Sequence, residues 1–115
     1  MSGTTSASKD SQLVEVSTFP LVKPYDEALF GKVARELGVR MKQVAAALHG
    51  NVTHARTVTV AGIKSHSYAV TAGPSLLEYT FVLKGRREYQ LLCRYPAGKS
   101  NSVCVQLLRS FIPAG

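Results

Sequence analysis

The chain has 115 residues, of which 45% are hydrophobic and 18% are charged, and its formal net charge is +7 at pH 7. This composition excludes a disordered chain, and the length suits one domain with a single core. No apolar run approaches the roughly 20 residues that a membrane-spanning helix needs. The positive charge permits contact with nucleic acid or anionic lipid but does not establish either.

The N-terminal segment differs in composition from the rest of the chain. Residues 1–11 are mostly Ser, Thr, Gly and Ala, contain no apolar segment of a signal peptide, and predict a flexible tail or tether. Residues 12–115 predict one α+β domain. It begins with "QLVEVSTFPL", whose alternating pattern indicates a short strand that ends at Pro20.

A helical pattern follows from Lys23 to Gly50. Its apolar residues recur every three or four positions, which predicts one buried stripe along a long helix. Gly38 interrupts the composition but not the spacing, so one helix is the simplest interpretation and two helices hinged at Gly38 are the alternative. The stripe consists of Leu29, Val33, Leu37, Met41, Val44 and Leu48.

After Gly50 the period changes to two, which is typical of strands. "HARTVTV" and "IKSHSYAVT" flank a turn, "EYTFVL" and "REYQLLCRY" form a hairpin around a glycine, and "SVCVQLLRSFI" predicts a short final helix. The fold class predicted is α+β. An antiparallel meander sheet of about four to five strands is covered by one long helix and a short C-terminal helix.

The two cysteines, Cys93 and Cys104, lie near the end of the last predicted strand and near the start of the last helix. Ten residues separate them, which is not the spacing of a CxxC redox motif, and two thiols alone do not make a zinc site. A disulfide is the favoured interpretation, and two free buried thiols in a cytosolic protein are the alternative.

Three phrases, "RTVTVAGIKSHSY", "EYTFVLKGRREYQLLCRY" and "CVQLLRSF", resemble the PsbP-like α/β-sandwich superfamily, which includes LpqN-type bacterial lipoproteins. The resemblance covers roughly residues 50 to 112. It implies an exported binding or assembly module rather than an enzyme, in the periplasm or at the cell surface. It also implies a lipid anchor in the full-length protein and supports a bond between Cys93 and Cys104. The chain has no lipobox cysteine and a short N-terminal part, so the tether would follow a signal and a lipidated cysteine located upstream. A cytoplasmic location is the alternative.

The alternative function is that of a small basic DNA-binding protein using a helix-turn-helix-like segment at residues 32–49. Small and β-branched residues in this segment have suitable spacing, and Arg40, Lys42 and Gln43 would face DNA. However, "VAAAL" stands where a recognition helix should present polar side chains to the bases. Nucleic acid is therefore not the expected partner.

Two groups of residues are candidates for contact with a ligand or partner. The tyrosines could line a pocket between the sheet and the long helix, or simply pack in the core. The basic residues at the predicted hairpin turn could bind a phosphate, an acidic protein or an anionic membrane surface, or form a solvated turn. The candidates are Tyr68, Tyr79, Tyr89, Lys84, Arg86 and Arg87.

Catalytic residues do not emerge from the sequence. His49, His54 and His66 show no spacing typical of a metal site, and the serines beside His66 should point to the opposite face of its strand. We therefore expect no metal, cofactor or enzymatic activity. The partner would be an unidentified protein or small ligand, and the oligomeric state stays open.

Overall fold

The computed structural model of the chain describes residues 3–9 and 12–113, which form six strands and two α-helices. A short 3-10 turn, Glu27–Leu29, precedes the first helix. The strands are β1 Gly3–Lys9, β2 Gln12–Pro20, β3 Asn51–Val60, β4 Ile63–Ala72, β5 Ser75–Lys84 and β6 Arg87–Pro96, and the helices are α1 Phe30–Ala47 and α2 Ser102–Ser110.

All six strands form one antiparallel sheet in the order β1-β2-β6-β5-β4-β3. Strands β3 to β6 are the predicted meander, and β2 adds to its β6 side, so the α+β fold class is confirmed. Because every neighbouring pair is antiparallel, β2 and β3 run in the same direction although three strands separate them. Helix α1 connects these two strands and crosses one face of the sheet.

The N-terminal segment differs from its prediction as a flexible tail. Gly3–Lys9 pairs with β2 from Gly3 opposite Thr18 to Lys9 opposite Gln12, while residues 1, 2, 10 and 11 lie outside the described residues. An edge strand needs only backbone hydrogen bonds to one neighbour, and these do not depend on apolar side chains. The polar composition of the segment therefore hid a strand.

The two faces of the sheet carry different helices. On one face, Leu37 and Met41 of α1 pack in a buried cluster with Tyr68, Val70 and Phe81. On the other face, α2 and the residue after it pack on β6 and β2 through a second set of apolar side chains. The contacts of α2 involve Val103, Leu107, Leu108 and Phe111 against Val16, Tyr89, Leu91 and Tyr95.

Helix α1 is continuous through Gly38, so the hinged alternative is wrong. It begins later than the pattern predicts, because the Asp26 side chain accepts a hydrogen bond of 2.8 Å from the Ala28 backbone N–H and caps a 3-10 turn. The segment 32–49 contains no inner turn, and hence no helix-turn-helix geometry. Arg40, one of its proposed DNA contacts, forms a salt bridge of 3.0 Å with the Glu88 carboxylate on β6.

The disulfide between Cys93 and Cys104 is present and attaches α2 to β6, with 5.5 Å between the two Cα atoms. On the chain-entropy model, closing a loop of this length contributes about 3 kcal/mol to the free energy of unfolding. Neither helix in the described part of the chain has the length and apolarity needed to cross a bilayer.

Gly50 follows α1 at a point where the chain passes close to β4. A Cβ atom at this position would clash with the backbone carbonyl oxygen of Thr71, whereas a Cβ at Gly38 would meet no atom within 4 Å. We expect Gly50→Ala to lower the free energy of unfolding by about 2 kcal/mol or more. Gly38→Ala should raise it by about 1 kcal/mol, because alanine favours the helix. Urea unfolding of both variants tests the pair, and equal effects of the same sign would contradict this packing.

Candidate functional site

Helix α2 covers only part of its face of the sheet. It packs on β6 and β2 and also closes over Val60 of β3 and Val82 of β5, while the half of β3, β4 and β5 around Arg56, Ala69 and Glu78 stays uncovered. The register places Arg56 opposite Ser67, and Ala69 opposite both His54 and Glu78, on this uncovered half. Polar and charged side chains thus line a surface that a complete helical layer would have buried.

A groove of about 420 Å³ lies on this uncovered half, beside the start of α2. Its size falls within the range of small-molecule sites, which runs from roughly 300 to 1,000 Å³. A β-bulge between Val52 and His54 places Thr53 at its edge, and bulges are frequent next to binding sites. The polar lining includes Thr53, His54, Arg56, Glu78, Tyr95 and Asn101.

Glu78 is the centre of the polar groups in the groove. Its side chain is 12% exposed, its Oε1 lies 3.6 Å from the Arg56 guanidinium, and its Oε2 accepts a hydrogen bond of 2.8 Å from the Tyr95 hydroxyl. A buried carboxylate is costly unless positive charge and donors surround it. Arg56 and Tyr95 supply these, and the 59% exposed Arg56 side chain remains accessible to a ligand.

The Tyr95 hydroxyl is a hydrogen-bond donor and not a base. Its pKa is raised to about 12, first by burial and then by the hydrogen bond to the Glu78 carboxylate and the negative charge of that carboxylate. The positive charge of Arg56 opposes this shift. The phenol therefore stays protonated at neutral pH and holds the carboxylate in place. This arrangement can present a fixed acceptor and a fixed cation side by side to a bound molecule.

Of the two alternatives for the tyrosines, packing in the core and a shared pocket, the structure shows packing. Tyr68 and Tyr79 lie on the α1 face, whereas Tyr89 lies on the α2 face, where its ring contacts Phe111 with 5.3 Å between centroids. Alternation along a strand separates its two faces, but the register between strands decides which tyrosines meet. All three are buried, and the Tyr68 hydroxyl donates to the backbone carbonyl of Ala34 at 3.2 Å, so packing is their role.

The three basic candidates lie together and exposed at the β5–β6 turn. Lys84 and Arg87 are directly paired across the hairpin, and the Arg86 guanidinium donates to the Val22 carbonyl at 3.3 Å. Arg94 lies seven residues further along β6, about 24 Å from Arg87 in an extended strand, and does not extend this cluster.

The histidines do not converge. His54 borders the groove, while His66 lies on the opposite face, stacked on Phe30 with 3.9 Å between ring centroids. Ser65 and Ser67 point away from His66, as alternation predicts. Among the described residues, no group of three or more His, Cys, Asp or Glu is placed to hold a metal ion.

The groove residues Arg56, Glu78, His54 and Asn101 were missed by the sequence reasoning. One signal could have found Glu78, because the alternation in β5 places it on the face opposite Tyr79 and Phe81. No protein-family model, curated protein or solved structure matches the chain. The site therefore rests on the geometry of this structure.

His66 gives the stability a dependence on pH. The side chain is 4% exposed, and within the described residues its Nε2 atom has no hydrogen-bond partner. Burial lowers its pKa below the ordinary value of 6.5, and the nearby Lys64 ammonium lowers it further. Below pH 6.5 the unfolded chain therefore binds a proton that the folded protein does not bind, and stability falls until the pH reaches the lowered pKa.

We expect the free energy of unfolding to decrease between about pH 7 and pH 5.5 in the wild type. His66→Phe, which keeps an aromatic ring against Phe30, should remove most of this decrease. The exposed-histidine variant His54→Gln should retain it, because His66 is still present. Urea unfolding across this range is the measurement, and an unchanged slope in His66→Phe would refute the assignment.

Proposed function

We propose that the chain is a non-enzymatic, extracytoplasmic binding module of the PsbP-like type, and that the groove beside α2 holds a small polar ligand. The observation that carries this proposal is the uncovered half of the α2 face, where a largely buried carboxylate and an accessible guanidinium lie side by side. An α+β sandwich with helices on both faces is the architecture that the sequence resemblance implies.

The chemistry of the groove selects the class of ligand. Glu78 accepts hydrogen bonds, and Arg56 donates them, with only 3.6 Å between the nearest charged atoms. A ligand that complements both must carry a donor and an acceptor on neighbouring atoms, as free amino acids and sugars do. Leu76 and Ala69 add apolar surface to the lining, which suits the carbon skeleton of such a molecule.

The groups present favour binding over catalysis. Of the described residues that line the groove, Glu78 is the one carboxylate, and it is paired with Arg56 and accepts a hydrogen bond from Tyr95. A general acid–base pair needs a second titratable group with a different proton affinity at reacting distance. Tyr95, with a pKa of about 12, is poorly matched to proton transfer at neutral pH, and His54 lies two strand spacings from Glu78, about 10 Å away along the sheet.

The disulfide supports the proposed compartment, since such bonds persist in oxidising environments and are rare in the cytosol. We place the module in the periplasm or at the cell surface, attached through a lipid anchor in the full-length protein. Thiol titration of denatured, unreduced protein from its native cells should find no reactive cysteine. Two reactive thiols would contradict the proposed location.

Binding in the groove is tested by NMR titration of labelled protein with a mixture of free amino acids and, separately, a mixture of monosaccharides. We expect one mixture to shift the amide signals of residues 53–56, 76–78 and 101. Arg56→Gln should weaken this binding about tenfold or more, because it removes a charged hydrogen-bond donor.

Arg35→Gln is the matched control, since Arg35 is an exposed arginine on α1, on the other face of the sheet. It should leave the titration unchanged. Absence of shifts in the groove with both mixtures would refute the proposed ligand class, and equal weakening in both variants would refute the site.

A further inference from the structure

We propose a second functional surface, at the end of the sandwich remote from the groove, that docks onto an anionic membrane surface. It is formed by the β5–β6 turn and the loop between β2 and α1, and we refer to residues 21–25 and 84–87 as the basic tip. Its basic residues are Lys23, Lys84, Arg86 and Arg87, and all four are exposed.

The basic tip is held together by its backbone. The Leu21 N–H donates to the Arg86 carbonyl at 2.7 Å, and the Tyr25 N–H donates to the Gly85 carbonyl at 2.7 Å. The Arg86 side chain donates a third hydrogen bond, from the turn to the Val22 carbonyl in the loop, at 3.3 Å. Loop and turn therefore move as one unit, so binding has little backbone freedom to lose at this surface.

Apolar side chains protrude among these charges. Val22 is 92% exposed, although Leu21 before it and Tyr25 after it are hydrogen-bonded to the turn. Ile112 is 81% exposed and follows Phe111, whose ring contacts Tyr89, two residues after Arg87 on β6. An exposed valine next to Lys23 and Arg86 matches the boundary between lipid headgroups and acyl chains.

Little negative charge offsets the basic tip. Glu88, the first residue after it, is buried and paired with Arg40 on α1. Asp26 and Glu27 follow the loop, and Asp26 is engaged in capping the 3-10 turn. Because Arg40 balances Glu88, the four cations of the basic tip face the two carboxylates of Asp26 and Glu27. The whole chain has a formal net charge of +7. This charge complements a leaflet that contains anionic lipid.

The shape of this surface favours a membrane over an acidic protein. Val22 and Ile112 are single exposed aliphatic side chains on different segments, the loop after β2 and the residues after α2. Protein interfaces rely on a buried central cluster, whereas interfacial membrane binding needs only shallow insertion next to phosphate groups. Glu78 lies six residues before Lys84 on β5, about 20 Å away. When the basic tip is bound to a membrane, the groove of the same protein molecule therefore stays open to solvent.

Co-sedimentation with lipid vesicles tests the proposal. We expect the full chain to bind vesicles containing about 30% phosphatidylglycerol at about 50 mM salt, and to bind pure phosphatidylcholine vesicles far more weakly. Binding should fall steeply towards about 500 mM salt, because exposed charges are screened. The double variant Lys84→Gln/Arg87→Gln should lose about 25-fold in affinity, at roughly fivefold per charge.

Val22→Asp should also weaken binding, without removing any cation from the tip. The matched control is Arg94→Gln/Lys99→Gln, which removes the same charge from exposed positions at the other end of the sheet. It should bind within about twofold of the wild type, as surface charges beyond a Debye length are screened.

An equal loss in the control would show that net charge alone drives binding and would overturn the proposal. Absence of sedimentation with anionic vesicles at low salt would also overturn it, and would favour an acidic protein as the partner of the basic tip. The groove variant Arg56→Gln should bind vesicles like the wild type. The vesicle assay therefore tests membrane binding separately from the ligand titration, and either proposal can fail without the other.

Discussion

The position of α2 determines what the second face of the sheet can do. The disulfide attaches Cys104, near the start of this helix, to Cys93 on β6, and the nine residues of the helix then run along β6 and β2. A short helix held there reaches Val60 and Val82 but cannot also cover the part of β3, β4 and β5 around Glu78. The groove is therefore a result of helix length and covalent attachment. One bond thus connects stability, architecture and the candidate site.

The opposite face shows the contrasting solution. Helix α1 has 18 residues and packs against a continuous apolar cluster that includes Met41, Val70 and Phe81. Even its polar side chains contribute, since Arg40 reaches the buried Glu88 carboxylate and lies over the Phe81 ring. That face is used for stability. The proposed ligand site therefore lies on the uncovered half of the α2 face, and the proposed membrane contact lies at the end of the sheet.

Much of the fold could be predicted because single segments carry their own period. Alternation predicted the strands β4 and β5, and the apolar stripe through Leu37 and Met41 predicted helix α1. A glycine between two alternating segments predicted the β5–β6 hairpin. β1 could not be predicted in this way, because its sequence has no apolar alternation and the strand is recognised only by its pairing with β2.

The candidate site needed information that no single segment contains. Arg56 and Glu78 are far apart in the chain, and they meet only because β3, β4 and β5 pair in one particular register. The same reason explains why the positions of Tyr68 and Tyr89 on opposite faces could not be predicted. Alternation shows which residues of one strand share a face, but not which face of the next strand lies on the same side of the sheet. The exposure of the groove depended further on how far α2 extends.

The pairing of β2 with β6 has a consequence for how the chain acquires its fold. Leu13 lies opposite Arg94, so β2 finds its partner only across an intervening chain that contains α1 and the strands β3 to β5. Contacts of such long sequence separation are slow to form, because closing a long loop costs entropy. The hairpins among β3 to β6 involve short loops, so we expect them to form first and β2 to join the sheet late in folding.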